Sequence, residues 1–587
     1  MTVRLVGEGP ATEAVAAALG DVDVRVERGG LEGLADATLG VVSGTAGDDR
    51  FERATEIVAN SASIDRWIAV EIGGIGGVPI EGIDAAIAGF AADGPCYRCL
   101  QQRVAANGPE TADAPSADRS AVRMAGAIAG REVVRALAGE DRLSGRVIEV
   151  PHAERELVPV PGCDCGDGEI RGPSLDDRVP RSFEDRPLEE TVARMDRSID
   201  PRIGIVAEIG EAESFPAPYY LATLADTTGI SDGDAPRQAA GVADDWNAAL
   251  AKGVGEALER YDGALYRDAA FRTAASGELD DAVLPAAFAG AGEDAPGADA
   301  DRSLPWVRGE TLSNSESAQN ESEDVWLPAA AVHFPPPEPR VLPSITTGLG
   351  LGSSGVGALL AGLTETIERD ATMLAWYSTF EPLGLSVEDE AFERLAKRAR
   401  SEGLTVTPLL VTQDVDVPVV SVAVHREDPW PRFAVGSAAG LDPTAAATGA
   451  LEEAIQNWME LRSIGREQAL DRQDAIGHFA DLPDSAREFV DVESAVPASD
   501  VGPAEPPEGE AALDALLAAL DDAGQDAYAA RLTTRDLAAL GFEAVRVLVP
   551  SAQPLFTGTA RFGERAESVP ESLGFESWLD REHHPYP

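Results

Sequence analysis

Apolar and polar positions change period repeatedly along the 587 residues. The first quarter of the chain alternates strand and helix signals. Residues 3–6, 23–27, 37–43 and 67–72 read as strands, and residues 12–19 and 51–61 carry helical spacing. That rhythm predicts βαβ units and a parallel sheet. A polar stretch over 107–118 leads into a helix over 119–138 and a strand over Arg146–Val150. A Pro- and Asp-rich segment over 161–187 reads as a linker. Beyond it, long helical patterns at 245–266, 357–376, 391–400 and 443–463 mix with strands at 204–207, Thr405–Leu410, 417–424 and 544–549. The expected fold class is an α/β N-terminal domain followed by a larger α+β region, with boundaries at 1–170, 171–186 and 187–587. Residues 290–302 and 496–510 are rich in Gly, Pro, Ala and acid, and read as mobile insertions.

Charge narrows the partners. There are 47 Lys+Arg against 102 Asp+Glu, a net −55. Such a field repels nucleic-acid phosphates and anionic membranes, so neither is an expected partner. With 44% hydrophobic residues the chain is not globally disordered. Lysine occurs only at Lys252 and Lys397, and the acids are spread throughout. This resembles proteins of salt-in halophiles, where high salt screens self-repulsion. No secretory signal and no long apolar run is present, so a cytoplasmic location is expected.

The four cysteines form two close pairs, Gly-Pro-Cys96-Tyr-Arg-Cys99-Leu and Gly-Cys163-Asp-Cys165-Gly. Two thiolate pairs suit a closed tetrahedral zinc site with no open position for chemistry. Two disulfides or buried free thiols are the competing arrangements, and a cytoplasmic setting disfavours disulfides. The first glycine turn, Gly7-Glu8-Gly9-Pro10, lacks a third glycine and sets Glu8 against any pyrophosphate, so it reads as a plain strand-to-helix turn. The glycine-turn α/β unit with these cysteine motifs resembles the ThiF-like (ubiquitin-activating-enzyme-like) domain that accompanies azoline-forming cyclodehydratases. The resemblance implies a degenerate adenylating fold that presents substrate. No separate leader-binding winged helix is legible.

Three acid-rich helices carry the strongest signal. Glu256 and Glu259 share a helix face with Arg260 beside them, Glu365 and Glu368 do so with Arg369, and Glu453 and Gln456 repeat the spacing. One such pair is an ordinary solvated face. Three, each within apolar flanks, call for cations between them, and hard oxygen ligands suit Mg²⁺ and hence nucleotide phosphates. Glu256, Glu259, Glu365 and Glu368 are the candidate Mg²⁺ ligands. Arg260 and Arg369 can add phosphate contacts, and the run from Gly348 through Gly350 to Gly352 lets backbone approach closely.

These blocks resemble the three nucleotide motifs of the YcaO family, and Thr533-Thr534-Arg535-Asp536 and Val547-Leu548-Val549-Pro550 follow in order. The resemblance implies ATP-dependent activation of a backbone amide. A Cys, Ser or Thr side chain of a ribosomally made peptide closes an azoline ring, with ATP, Mg²⁺ and structural Zn²⁺ as cofactors. It further implies a precursor peptide as substrate, a dehydrogenase or leader-binding protein as partner, and admits a homodimer. The tail His584-Pro585-Tyr586-Pro587 resembles that of the azoline-forming branch, where it reaches the active site. His584, Pro585 and Pro587 are therefore its candidate catalytic residues, with His584 able to move protons. His152, His333, His425 and His478 read as structural. Departures are Gly241-Val242-Ala243 where many members carry Gly-Lys-Gly, Lys252 where many carry Ser, and Thr347 where Asn often stands. Thioamidation with a sulfide donor and a non-catalytic peptide-binding scaffold are the competing functions.

Overall fold

The computed structural model describes the chain apart from residues 152, 167, 169, 171–177, 292–294, 296–301, 313–322 and 473–474. His152, part of the linker and most of the 290–302 insertion thus lie outside the described residues.

The N-terminal region is built on a seven-stranded sheet. Arg25–Arg28, Thr2–Val6, Leu39–Thr45 and Arg66–Ile72 pair in parallel, as the βαβ rhythm predicts. Helices Pro10–Leu19 and Arg50–Ala59 cross between them. The second half of the sheet departs from the expectation. Ala85–Ala91, Arg146–Val150 and Ala153–Glu156 all pair antiparallel. Ile72 and Ala85 are joined by residues 73–84, which hold the short Gly74–Ile75 and Val78–Pro79 hairpin with Gly73, Gly76 and Gly77 at positive φ and no crossover helix, whereas Arg146–Val150 is reached through the helices Tyr97–Asn107 and Arg119–Leu137 and still pairs antiparallel.

The remaining chain builds three sheets of three, six and five strands. Pairing in them is antiparallel except where Leu383–Ser386 meets Ala495–Pro497. That last strand begins the stretch read as a mobile insertion, and its pairing orders it. The linker reading also changes from Arg178 onward. Val179 is buried and its N–H donates to Glu310, and Arg186 donates to the Gly541 carbonyl. Among the described residues no helix is long and apolar enough to cross a membrane.

One strand of each sheet runs straight into a long helix. Gln238–Val242 precedes the first carboxylate helix, Trp246–Ala264; Leu349–Gly352 precedes the second, Gly355–Trp376; Phe433–Ala439 precedes the third, Pro443–Ile464. Asp245, Ser354 and Asp442 cap their N-termini, each accepting from backbone N–H groups of the first turn. In every unit a strand glycine lies directly against helix backbone. A β-carbon on Gly241 would overlap the Ala249 carbonyl and Gly253 nitrogen; on Gly350, the Ala358 carbonyl and Gly362 nitrogen; on Gly436, the Ala450 carbonyl and Ala454 nitrogen. Trp376 and Trp458, on the second and third helices, are fully buried.

Backbone cannot yield as a flexible side chain does. Gly436→Ala therefore costs at least the upper end of the ~1–3 kcal/mol typical of overpacking. Gly210→Ala, with open space around it, costs well under ~1 kcal/mol. Thermal unfolding of the two variants checks the contrast.

Candidate functional site

The three units repeat one hydrogen bond. Glu256 Oε2 accepts from the Ala240 N–H at 2.7 Å, Glu365 Oε2 from Gly348 N–H at 3.0 Å, and Glu453 Oε2 from Ser437 N–H at 2.6 Å. The residues so joined are 16, 17 and 16 positions apart. The glycine contact brings each strand close enough for the helix carboxylate to reach back to it, which fixes that carboxylate's second oxygen in space. Gly348, at φ +88°, supplies the N–H from a backbone conformation that other residues rarely adopt.

The units then converge. Arg369 lies among three carboxylates: Nη1 is 3.4 Å from Glu368, Nη2 is 3.7 Å from Glu453 and Nε is 4.0 Å from Glu365. Its buried Nη1 makes no hydrogen bond among the described residues. Glu368 accepts from the Ser437 hydroxyl at 2.7 Å, joining the second unit to the third. Arg260 pairs with Glu256 at 2.5 Å. Burial, with Glu365 and Glu256 nearby, pushes the Glu259 carboxyl up to about 8. Burial pushes Glu368 to about 8 as well, against the pull of Arg369 and with Glu453 adding to it. Glu365 is also raised, by burial. Gln456 lies one turn beyond Glu453. The departure Lys252 has a partner: its ammonium pairs with Glu452, whose other oxygen accepts from the Asp244 N–H at 3.0 Å, tying the first helix to the third.

Several site residues escaped the sequence reading. Arg546 is buried, donates to the Ile345 and Thr346 carbonyls ahead of the Gly348 turn, and faces Glu365 and Glu259. Burial lowers its pKa to about 10. Its signal was a lone cation inside an apolar strand, Ala-Val-Arg-Val-Leu. Ser437 carried no signal, and Tyr586 was legible only as a member of the His584–Pro587 tail.

The C-terminal tail folds onto the second helix. Arg581 stacks 3.8 Å above the Trp376 ring, and Trp376 Nε1 donates to the Glu582 carbonyl. His584 and Pro585 are buried and Pro587 is partly exposed. The Tyr586 hydroxyl meets Ser421 at 2.9 Å, and its ring feels Glu368 and Arg369. His584 Nε2 lies 2.7 Å from the Phe556 carbonyl and so carries the proton, leaving the buried Nδ1 as an unpartnered acceptor. Burial, with His583 and Arg369 nearby, lowers its pKa to about 3. A ring held neutral in this way orients a donor better than it carries protons. His333, His425 and His478 bond to Gly263, Thr407 and Glu582, in keeping with structural roles.

The cysteines also converge. Cys96 Sγ is 3.6 Å from Cys163 and Cys99 Sγ is 3.5 Å from Cys165. These separations are far beyond a disulfide bond of about 2.05 Å. They approach the ~3.8 Å between sulfurs that Zn–S bonds of about 2.3 Å give in a tetrahedron. Cys96 caps the Tyr97–Asn107 helix and Cys99 sits in its first turn, so one pair comes from a helix start, not from a free-standing knuckle. Among the described residues only this set offers three or more donors close enough to share one ion directly. The carboxylates of the three helices stand farther apart than that.

Fold and site together set three strand-anchored carboxylate helices side by side in an α+β region, joined to an α/β domain with four converging cysteines. A family model described as YcaO cyclodehydratase, ATP- and Mg²⁺-binding, matches residues 240–553. That is more than half of the chain, and the chain belongs to this family. A heterocyclase solved in complex with substrate and cofactor has the same fold at TM-score 0.72 and 19% identity, covering 100% of this chain and 84% of that one. The heterocyclase TruD follows at TM-score 0.64 and 20% identity, covering 99% and 82%. An uncharacterized protein of Methanothermobacter thermautotrophicus is 32% identical over 170 residues, covering 26% of this chain and 41% of that protein. The chain thus spans less than half the length of that curated relative.

The raised carboxyls set a pH dependence. Their folded-state values, about 8, exceed the ordinary 4.5. Without a cation, the stability they contribute is present at low pH and lost as pH rises through about 8. A bound cation needs them deprotonated, so Mg²⁺ affinity rises between about pH 6.5 and 9, with protons released on binding. Calorimetry in buffers of different ionisation enthalpy checks this; an affinity flat with pH contradicts it.

Proposed function

We propose that the protein is an ATP- and Mg²⁺-dependent peptide cyclodehydratase that converts Cys, Ser or Thr residues of a ribosomally made peptide to azolines. The observation that carries this reading is the meeting of three strand-anchored carboxylate helices beside the C-terminal tail, the second and third through Arg369 with Glu365, Glu368 and Glu453, and the first and second through Arg546, which faces Glu259 and Glu365, in a chain of the YcaO family. Glu256, Glu259, Glu365, Glu368 and Glu453 would hold the cation, and Arg260, Arg369, Gln456 and the Gly348–Gly350 backbone would hold the nucleotide. Mg²⁺ held by them would offset the charge of the nucleotide phosphates.

The side-chain thiol or hydroxyl adds to the preceding carbonyl carbon. The resulting oxyanion takes the γ-phosphoryl group of ATP, releasing ADP. Expulsion of phosphate forms the C=N bond, and the amide N–H proton is lost. The peptide ends one water lighter. Arg369 would stabilise charge on the transferring phosphoryl group, through an Nη1 that faces Glu368 at 3.4 Å but makes no hydrogen bond among the described residues. The buried His584, Pro585 and Tyr586 and the partly exposed Pro587 lie beside Glu368 and Arg369, where the tail would help position the peptide. The N-terminal region, read as a ThiF-like domain knotted by structural zinc, would present the peptide. A leader-binding protein or a dehydrogenase that oxidises the ring would join it. The excess of acids is read as the solvating surface of a halophile's cytoplasmic protein.

The test is a mass measurement. Incubated in molar KCl with Mg²⁺, ATP and a precursor peptide, the protein should yield a product lighter by one water per ring, with matching ADP. Glu368→Gln and Glu256→Gln should lower turnover by about 10²–10³-fold. Full ATP turnover in both variants would remove the carboxylates from the mechanism, and exchange of oxygen for sulfur with added sulfide would replace the ring chemistry by thioamidation.

A further inference from the structure

We infer that the four-cysteine knot and the nucleotide cradle are mechanically coupled. Arg103, Asp536 and Tyr261 form a buried clamp through which an ion held by the cysteines sets the position of the first carboxylate helix. The inference rests on the zinc and nucleotide readings above and adds a dependence of one site on the other.

The connection can be followed residue by residue. The helix Tyr97–Asn107 starts at Cys96, carries Cys99 in its first turn, and presents Arg103 one turn later on the face of Cys99. Arg103 is 1% exposed, and its guanidinium reaches out of the N-terminal domain. Nη2 donates to Asp536 Oδ2 at 2.5 Å and to the Pro159 carbonyl at 3.1 Å, while Nη1 lies 3.4 Å from the Tyr261 hydroxyl. Tyr261 in turn donates to the same Asp536 oxygen at 2.7 Å. A second link leaves from the other cysteine pair: Arg535 Nη1 donates to Cys165 Sγ at 3.3 Å. Residues 534–536 therefore touch both the knot and the clamp.

The far side of the clamp is the cradle. Tyr261 and Asp262 continue the helix that carries Glu256, Glu259 and Arg260. Thr534 meets Asp262 through its hydroxyl at 2.7 Å and its N–H at 3.3 Å. Arg103, Tyr261, Asp262, Thr534 and Asp536 are all fully buried. An ion pair at such depth, with one partner displaced, leaves an uncompensated charge, so the arrangement favours two discrete states over gradual drift. Four thiolates released from an ion spread apart, and the two segments they hold, 96–103 and 163–165, are those that carry Arg103 and contact Arg535. Arg103, Asp536 and Tyr261 are positioning residues, since none touches the carboxylate oxygens that would bind the cation.

The test uses the full chain in molar KCl, with metal content measured by atomic absorption. The affinity for Mg²⁺ with a non-hydrolysable ATP analogue is measured by calorimetry before and after a zinc-selective chelator, for the wild-type chain and for Tyr261→Phe, which removes one hydroxyl and no charge. Removing zinc should weaken binding in the wild-type chain by about tenfold. Tyr261→Phe should weaken it several-fold with zinc present and be less sensitive to the chelator, because knot and clamp act on one path. Arg103→Lys should bind between wild type and Arg103→Met. Equal loss on chelation in wild type and Tyr261→Phe, by whatever route including unfolding, would overturn the clamp, as would unchanged affinity after zinc removal. A chain that binds no nucleotide with zinc in place would overturn the nucleotide reading, and a chain that holds no metal would overturn the zinc reading.

Discussion

Backbone-to-backbone contact between a strand and the helix that follows it governs this molecule. Where Gly241, Gly350 and Gly436 meet their helices there is no room for even a methyl group. Each contact lets a glutamate reach back to a strand or turn N–H, which locks its rotamer and leaves one oxygen facing inward. A side chain on the strand would lift the helix and lengthen that hydrogen bond beyond use. The carboxylates are thus held by three near-identical local devices, with long-range packing acting only to bring the devices together.

Bringing them together has an electrostatic cost that the fold meets only in part. Arg369 reaches Glu365, Glu368 and Glu453, and Arg546 faces Glu365 again and Glu259, but Glu259 and Glu368 still hold their protons more tightly than an ordinary glutamate. A site strained toward protonation in this way is poised for cations. The third unit shows how far the device is shared. It keeps the cap, the glycine and the anchored glutamate, but Gln456 and Asn457 stand where the other helices carry Glu and Arg. Asn457 instead donates to the Val435 carbonyl.

Much of this was legible in the residues. Glu-x-x-Glu-Arg recurring after small-residue turns gave the helices, their facing side chains and the cation chemistry, because helical spacing is local and sequence records it directly. Paired cysteines gave the knot for the same reason. What stayed hidden depends on residues far apart in sequence. The antiparallel half of the first sheet depends on which strands Ala85–Ala91 and Arg146–Val150 meet, and the order of residues 495–497 follows from pairing with Leu383–Ser386. Arg546, Ser437 and the Arg103–Asp536 pair act across domains or sheets, and no spacing rule connects them. His584 was legible as a tail residue near the site, but its neutral, buried state depends on Phe556 and Arg369 around it.

The central claim is that the three anchored carboxylate helices form one cradle for a cation-bound nucleotide. The most direct measurement is a crystal structure with Mn²⁺ and a non-hydrolysable ATP analogue, with the metals located by anomalous scattering. Mn²⁺ peaks are expected between the analogue's phosphates and Glu256, Glu259, Glu365, Glu368 or Glu453, with Arg369 on the terminal phosphate. A nucleotide bound instead at the Gly7–Gly9 turn of the N-terminal sheet, or metal peaks away from these glutamates, would contradict it.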